Sequence, residues 1–357
     1  MNFPKNSPLY FIIGLFIAVF FSIFLVETFN YELLKDDIWY KELLSGKEII
    51  SAAIYIYLNI NGRWFSHLWD CIVFKLFFDH FYLLFIYHLF LLSCFISSLA
   101  LFVRTVFQKH YSVVISYSKS LLLSTSLTAF FFFFLFEGRE DIWYWVCATG
   151  VHLLSIIGLL VVLSYCIKDN LKWIEIILFV MSAIAIGGMS ESYALMSIVS
   201  LLFGIYKQFV SFKKAILIII LIVLSLLVNI LSSGLTSRLS MLPDFNFLLA
   251  LKNTVHSLLL PLMNYQYLPV KIVVLIITYL LAVKVGNLIM IEQKEFSLRH
   301  FLQQLSIAIS IITISFFIPC FLLTDIIAFR MESFGYLFFL LFLFDHFMKY
   351  RPHSPNL

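Results

Sequence analysis

The strongest constraint in this sequence is a succession of long apolar runs separated by short polar loops. In lipid every backbone polar group has to be satisfied inside its own segment, so an apolar run of about 20 residues reads as a membrane-crossing helix. Runs near 9–28, 81–103, 120–136, 150–167, 173–190, 192–206, 215–231, 270–291, 301–323 and 327–348 give ten such helices. Of the 357 residues 62% are hydrophobic and 12% are charged, where soluble domains lie nearer about half and a quarter. The expected fold is all-α: a polytopic membrane protein whose residues 1–357 form a single transmembrane domain. It has two long extracytoplasmic loops, 29–80 and 232–268.

Several segments need their own reading. The first run is too apolar and too long for a secretory signal, and Val26-Glu27-Thr28-Phe29 offers no small-residue cleavage site, so an uncleaved helix is expected. In the first loop, 38–45 reads as a short helix and 47–60 as an interfacial one. Residues 64–78 carry Asp70 and Lys75 and are short for a span, so they are expected on the membrane surface or re-entrant. The short run 192–206 pairs with 173–190 as a hairpin around Glu191, and a surface helix is expected near 246–260.

The charge pattern sets the sidedness. With both termini in the cytoplasm, the inside loops hold 14 basic and five acidic residues, and the outside 10 basic and 15 acidic. That is the bias of a bacterial inner-membrane protein. The net charge of +4 is spread over these short loops, which gives no nucleic-acid signal. The five cysteines form no CxxC pair or zinc spacing and read as buried apolar side chains. Phosphate-loop, dinucleotide and HExxH motifs are missing from the sequence.

On this topology the chemically interesting residues collect on the outer face. They include Asp36 and Asp37, Arg63, His67 and Asp70, Glu140 with the aromatic run Trp143-Tyr144-Trp145, Glu191, Arg238, and Arg330 with Glu332. Carboxylates can take a proton from an acceptor hydroxyl, arginines hold phosphate through two parallel hydrogen bonds, and aromatic faces pack on sugar rings. Each has a plainer reading. Asp36 and Asp37 are also placed to cap the helix that follows. Asn61-Gly62-Arg63 also reads as a turn. Trp143 and Tyr144 also read as an interfacial aromatic belt. Glu191, at a hairpin tip dipping into an apolar zone, calls for a functional or a paired role. A charge at the bilayer centre costs about 2.5–3.5 kcal/mol on insertion scales.

The order of an uncleaved first helix, an outer loop with Asp36-Asp37 and then Asn61-Gly62-Arg63 resembles GT-C-type membrane glycosyltransferases. Among these it is most similar to the O-antigen-modifying glucosyltransferases of serotype-converting phages. Trp143 to Gly150 and Ser233 to Arg238 resemble segments of a related bacterial membrane family of unassigned function. The resemblance implies a polyprenyl-phosphate-sugar donor, a glycan or lipid-linked acceptor at the outer bilayer surface, and a first-loop carboxylate at Asp36 or Asp37. Asp37 is the expected base, with Asp36 orienting it or holding a divalent ion such as magnesium or manganese. Arg63, Arg238 and Arg330 are expected on the leaving phosphate, and Glu191 and Glu140 on sugar hydroxyls. A polysaccharide polymerase and a non-enzyme transporter or lipid-carrier flippase are the alternatives.

Overall fold

The computed structural model describes residues 8–77, 81–135, 140–239, 246–263, 266–288, 294–295, 301–302, 305–306, 309–310, 313 and 329–351. In chain order the helices are α1 (Pro8–Phe29), α2 (Lys35–Ser45), α3 (Ile49–Asn59), α4 (Trp64–Phe77), α5 (Phe81–His110), α6 (Tyr117–Phe134) and α7 (Val146–Ile167). They continue with α8 (Trp173–Met189), α9 (Glu191–Tyr206), α10 (Phe212–Ile230), α11 (Ser233–Leu239), α12 (Phe247–Met263), α13 (Leu268–Leu288) and α14 (Phe329–Lys349). A π-helical turn, Glu140–Tyr144, precedes α7, and Lys294–Glu295 pairs in parallel with Tyr350–Arg351. The fold is thus all-α, as the apolar runs predict.

Among the described residues five helices, within α1, α5, α7, α10 and α13, are long and apolar enough to cross a membrane, and α8 and α9 are shorter apolar helices. Most of the expected 301–323 span lies outside the described residues. Helix α7 is the axis of the bundle, with 78% of its apolar window buried against 22% for α1. It packs on α5 and α8, and α8 packs in turn on α10. The outer faces stay apolar, with Phe11, Trp173, Ile177, Leu224 and Ile276 exposed, which fits a bilayer environment.

Two packing features hold the bundle. The phenylalanine run of α6 places Phe130, Phe131 and Phe132 at 0% exposure against Phe16 and Phe20 of α1 and Phe95 of α5. On the other side Gly187 and Gly188 let helices approach closely. A Cβ on Gly187 would stand 2.5 Å from the Ile222 carbonyl oxygen, and one on Gly188 would stand 2.7 Å from Phe65 Cβ. Small residues at such contacts give helices van der Waals packing where lipid offers no hydrophobic drive.

The first loop folds into α2, α3 and α4. Helix α4 buries Ser66, His67, Asp70, Cys71, Val73 and Phe74 and packs on α2, α3, α7 and α8, while Lys75 and Leu76 stay exposed. The second loop contains α11, packed on α3, and α12 near the expected surface helix.

Candidate functional site

The polar residues of α2 and α4 meet the N-terminal turns of α7 in a buried layer at one end of the bundle. Asp37 anchors it. The residue is 0% exposed and sits in the first turn of α2, where its Oδ2 accepts the Leu34 amide at 3.1 Å. That contact is half of a capping box, so the capping reading of Asp37 describes its geometry. The same oxygen accepts the Tyr31 hydroxyl. Oδ1 faces α7 and accepts the Cys147 amide at 3.4 Å and the Cys147 thiol at 3.0 Å. Burial, followed by the charge of Asp37 beside it, raises the Tyr31 pKa and keeps the phenol a donor.

A carboxylate has about four lone-pair sites, and in Asp37 all four face donors. No site remains for a cation or a substrate proton. Asp36, its neighbour, is exposed. The geometry therefore favours Asp36 over Asp37 as the carboxylate a substrate can reach, with Asp37 fixing its position. Among the described residues no group of three or more His, Cys, Asp or Glu is arranged to hold a metal ion.

One turn along α2, Tyr40 bridges two residues of α4. Its hydroxyl lies 2.6 Å from His67 Nδ1 and 3.3 Å from Asp70 Oδ2. All three are under 9% exposed. Burial raises the Asp70 pKa well above the usual carboxylate range; Tyr40 and Ser66 pull it down and the charge of Asp37 pushes it up. Burial, and after it Asp70, likewise raises the Tyr40 pKa. Tyr40 donates to Asp70 Oδ2, and its hydroxyl oxygen faces His67 Nδ1, so the three form one buried hydrogen-bonded cluster with Tyr40 at its centre. Asp70 Oδ1 and Ser66 Oγ, one turn earlier, are close but lie in no geometry that satisfies either atom.

Gly150 makes room for this arrangement, because a Cβ there would stand 2.7 Å from Asp70 Oδ1. A second chain runs beside it. Trp69 Nε1 donates to Tyr87 Oη at 3.1 Å, Tyr87 lies 3.1 Å from Thr149 Oγ1, and Thr149 donates to the Val146 carbonyl at 2.8 Å. His88 ties α5 to the π turn, with Nε2 2.9 Å from the Tyr144 carbonyl oxygen.

Arg63 and Glu191 close the layer from the other side. Arg63 Nε lies 3.1 Å from Glu191 Oε2, with the side chains 17% and 15% exposed. Of the arginine's donors only Nε is engaged among the described residues, which leaves the terminal nitrogens free. The Asn61-Gly62-Arg63 turn is held structurally: a Cβ on Gly62 would lie 2.2 Å from the Asn229 carbonyl oxygen, and Asn61 Oδ1 accepts the Arg63 amide at 3.3 Å. Next to Glu191, Tyr193 Oη lies 3.1 Å from His152 Nδ1 on α7, two residues from Gly150.

The other expected site residues are placed differently. Trp143 and Tyr144 are 1% and 2% exposed. Trp143 packs edge-on against Phe24, Phe95 and Phe131, and Tyr144 lies against Phe24, so neither offers a ring face to a sugar here. The backbones of Glu140, Arg238 and Arg330 lie in the π turn, α11 and α14, and their side chains are outside the described residues. Tyr40, Tyr31 and Cys147 are the participants the sequence reading passed over, and Asp70 and His67 were named there on the outer face without a role in the scheme. The i, i+3 spacing of His67 and Asp70 on a short helix is the signal that places both on one face.

Compared with protein-family models, curated proteins and solved structures, the chain matches none of them.

Proposed function

We propose that the chain is a GT-C-type membrane glycosyltransferase that moves a hexose from a polyprenyl-phosphate donor to a hydroxyl of a surface-glycan or lipid-linked acceptor. The observation that carries this reading is the exposed Asp36 and the half-engaged Arg63 in one polar layer at one end of an apolar bundle. In this scheme Asp36 takes the proton from the acceptor hydroxyl as its oxygen bonds to the anomeric carbon. The bond from that carbon to the phosphate oxygen breaks, and the terminal nitrogens of Arg63 receive the leaving phosphate. Glu191 holds Arg63 in place, and Arg238 and Arg330 remain candidates for the same phosphate. No step is assigned to a metal ion.

The proposed topology has ten spans in a bacterial inner membrane with both termini in the cytoplasm. The ends of the helices support it. The acid-rich layer lies at the starts of α5, α7 and α9. The opposite ends of these helices gather Lys109, which pairs with Asp169 at 2.8 Å, and Lys168, which pairs with Glu175 at 2.6 Å. Lys214 joins them through the Asp169 carbonyl oxygen at 3.0 Å. A basic end opposite an acidic end is the signature of a cytoplasmic face.

A second reading, a proton-coupled transporter, draws on the Asp70–Tyr40–His67 chain, since buried titratable chains are typical of proton pathways.

The test is deletion of the gene and complementation with wild type, Asp36→Asn or Asp37→Asn, followed by mass and sugar analysis of the surface glycan. Loss of one hexose in the deletion and in Asp36→Asn, at normal membrane levels of protein, upholds the transferase. Altered chain length with unchanged sugar composition points to the polymerase. Unchanged glycan with lost solute uptake in Tyr40→Phe points to the transporter.

A further inference from the structure

At the end of the bundle opposite the polar layer, a cavity of about 400 Å³ opens between α5, α7, α9 and α14. Along α5 the two sites are separated from His88 to Phe107, about 28 Å of helix rise, close to the hydrocarbon thickness of a bilayer. The volume lies in the ordinary range of small-ligand pockets, about 300–1,000 Å³.

Its walls and its mouth differ in chemistry. The walls are carbon, with Phe102, Val106, Leu163, Phe203 and Phe339 among them. The polar part of the lining carries two ammonium groups, one carboxylate and an imidazole: Lys207, Lys349, Asp345 and His110. Asp345 is already engaged, because Lys349 Nζ lies 2.8 Å from its Oδ2 and the Tyr111 hydroxyl donates to its Oδ1. Lys207 has no carboxylate partner among the described residues. Its Nζ stands 5.8 Å from the Phe203 ring centroid and 5.3 Å from that of Tyr206. An exposed cation resting on aromatic rings at the lip of a carbon-walled cavity suits one kind of ligand: a hydrocarbon chain ending in an anion. A neutral chain would leave Lys207 unmatched, and a small free anion would leave the walls unfilled.

We propose that this cavity binds an anionic membrane amphiphile, its chain between α5, α9 and α14 and its carboxylate or phosphate head at Lys207 and Lys349. The site is separate from the polar layer and holds whether or not the protein transfers sugars. Its position at the basic end assigns the lipid to the leaflet on that side.

The test uses the full-length protein purified in neutral detergent and a diazirine-bearing palmitic acid as photoprobe. Crosslinked peptides are mapped by mass spectrometry. Labelling is expected on the segments around Phe102–Phe107 and Ser200–Phe203. Palmitate and lysophosphatidic acid compete, and either result separately names the head group the site prefers. Hexadecanol competes weakly. Lys207→Glu reverses an exposed charge, leaves the fold intact and lowers labelling about ten-fold, the factor set by ~1.4 kcal/mol. Lys207→Arg keeps it. Val106→Trp, which fills the cavity, lowers labelling with the mouth unchanged. Labelling spread over the outer apolar faces and indifferent to Lys207→Glu would overturn the proposal. Competition by inorganic phosphate as strong as by palmitate would do so too.

Discussion

Arg63 Nε and Glu191 Oε2 meet at 3.1 Å although 128 residues separate them in the chain. The pair joins the turn before α4 to the first residue of α9, with both side chains mostly buried. Removing one partner takes this contact from a mostly buried charge, while removing both takes the two charges away together. Arg63→Ala and Glu191→Ala should each cost about 1.5–3 kcal/mol. The double variant should cost less than their sum, with a coupling of about 0.5–3 kcal/mol. Thermal unfolding of the four proteins in one detergent measures it, and strict additivity would mean that the contact contributes nothing.

Asp37 and Asp36 should behave oppositely. Asp37→Asn puts an amide nitrogen where donors already point, leaving a buried donor unsatisfied at about 1–3 kcal/mol. Asp36→Asn, exposed, should change stability by no more than about 0.5 kcal/mol. In the transferase scheme it is Asp36→Asn that abolishes turnover in a folded protein. Melting curves set beside glycan composition separate the two effects, and a fully active Asp36→Asn enzyme removes that residue from the scheme.

Gly150→Ala tests the packing around Asp70. The new Cβ would lie 2.7 Å from Asp70 Oδ1 and 3.1 Å from Trp69 Cδ1, an overpacking expected to cost about 1–3 kcal/mol. Shortening Asp70 to Ser in the same protein should recover most of the loss. If Gly150→Ala alone melts like wild type, α4 can move away from α7 at little cost.

The raised pKa of Asp70 fixes the sign of a pH effect. Below the ordinary carboxylate value of 3.8 the group is protonated in the folded and unfolded chain alike, and its contribution is fully present. Above that value the unfolded chain releases the proton while the folded chain keeps it. Stability therefore falls with rising pH until the folded value is passed, by about 1.4 kcal/mol for each pH unit in that window. Asp70→Asn has no such proton, so its melting temperature should gain on wild type as the pH rises above the ordinary carboxylate value. Parallel pH profiles would show that Asp70 ionises at its ordinary value.

Sidedness is testable with single cysteines in a background where the native cysteines are replaced. A cysteine at Lys47, after α2, should react with an impermeant maleimide from outside intact cells. One at Asn170, between α7 and α8, should react only after the membrane is opened. The reverse pattern would invert the proposed topology.

Much of this protein was legible in its sequence, because hydropathy and helical period are local properties. The apolar runs located the helices from α6 to α10 to within a few residues, α5 continues seven residues past its expected end, and the shortness of 64–78 set α4 apart from the spans. The first-turn position of Asp37 carried its capping role. The turn at Asn61-Gly62-Arg63 was legible too, since a glycine between an asparagine and an arginine reads as a turn in any context.

Partners across the bundle were not legible. Nothing near Arg63 points to Glu191, and nothing near Asp37 points to the Cys147 thiol, which the sequence offered only as one more apolar cysteine. Trp143 reads as an interfacial aromatic until α1, α5 and α6 surround it. Asp70, one acid on a short apolar helix, joins a buried polar cluster only when Tyr40 of α2 and Gly150 of α7 arrive beside it. The sequence by itself determined that the chain is helical, apolar and polarised in charge, since each of those follows from residues within a turn or two of one another. Only the tertiary structure decided which carboxylate is sealed and which is open. Burial and hydrogen-bond saturation depend on which helix faces pack together, and that is settled by contacts more than a hundred residues apart.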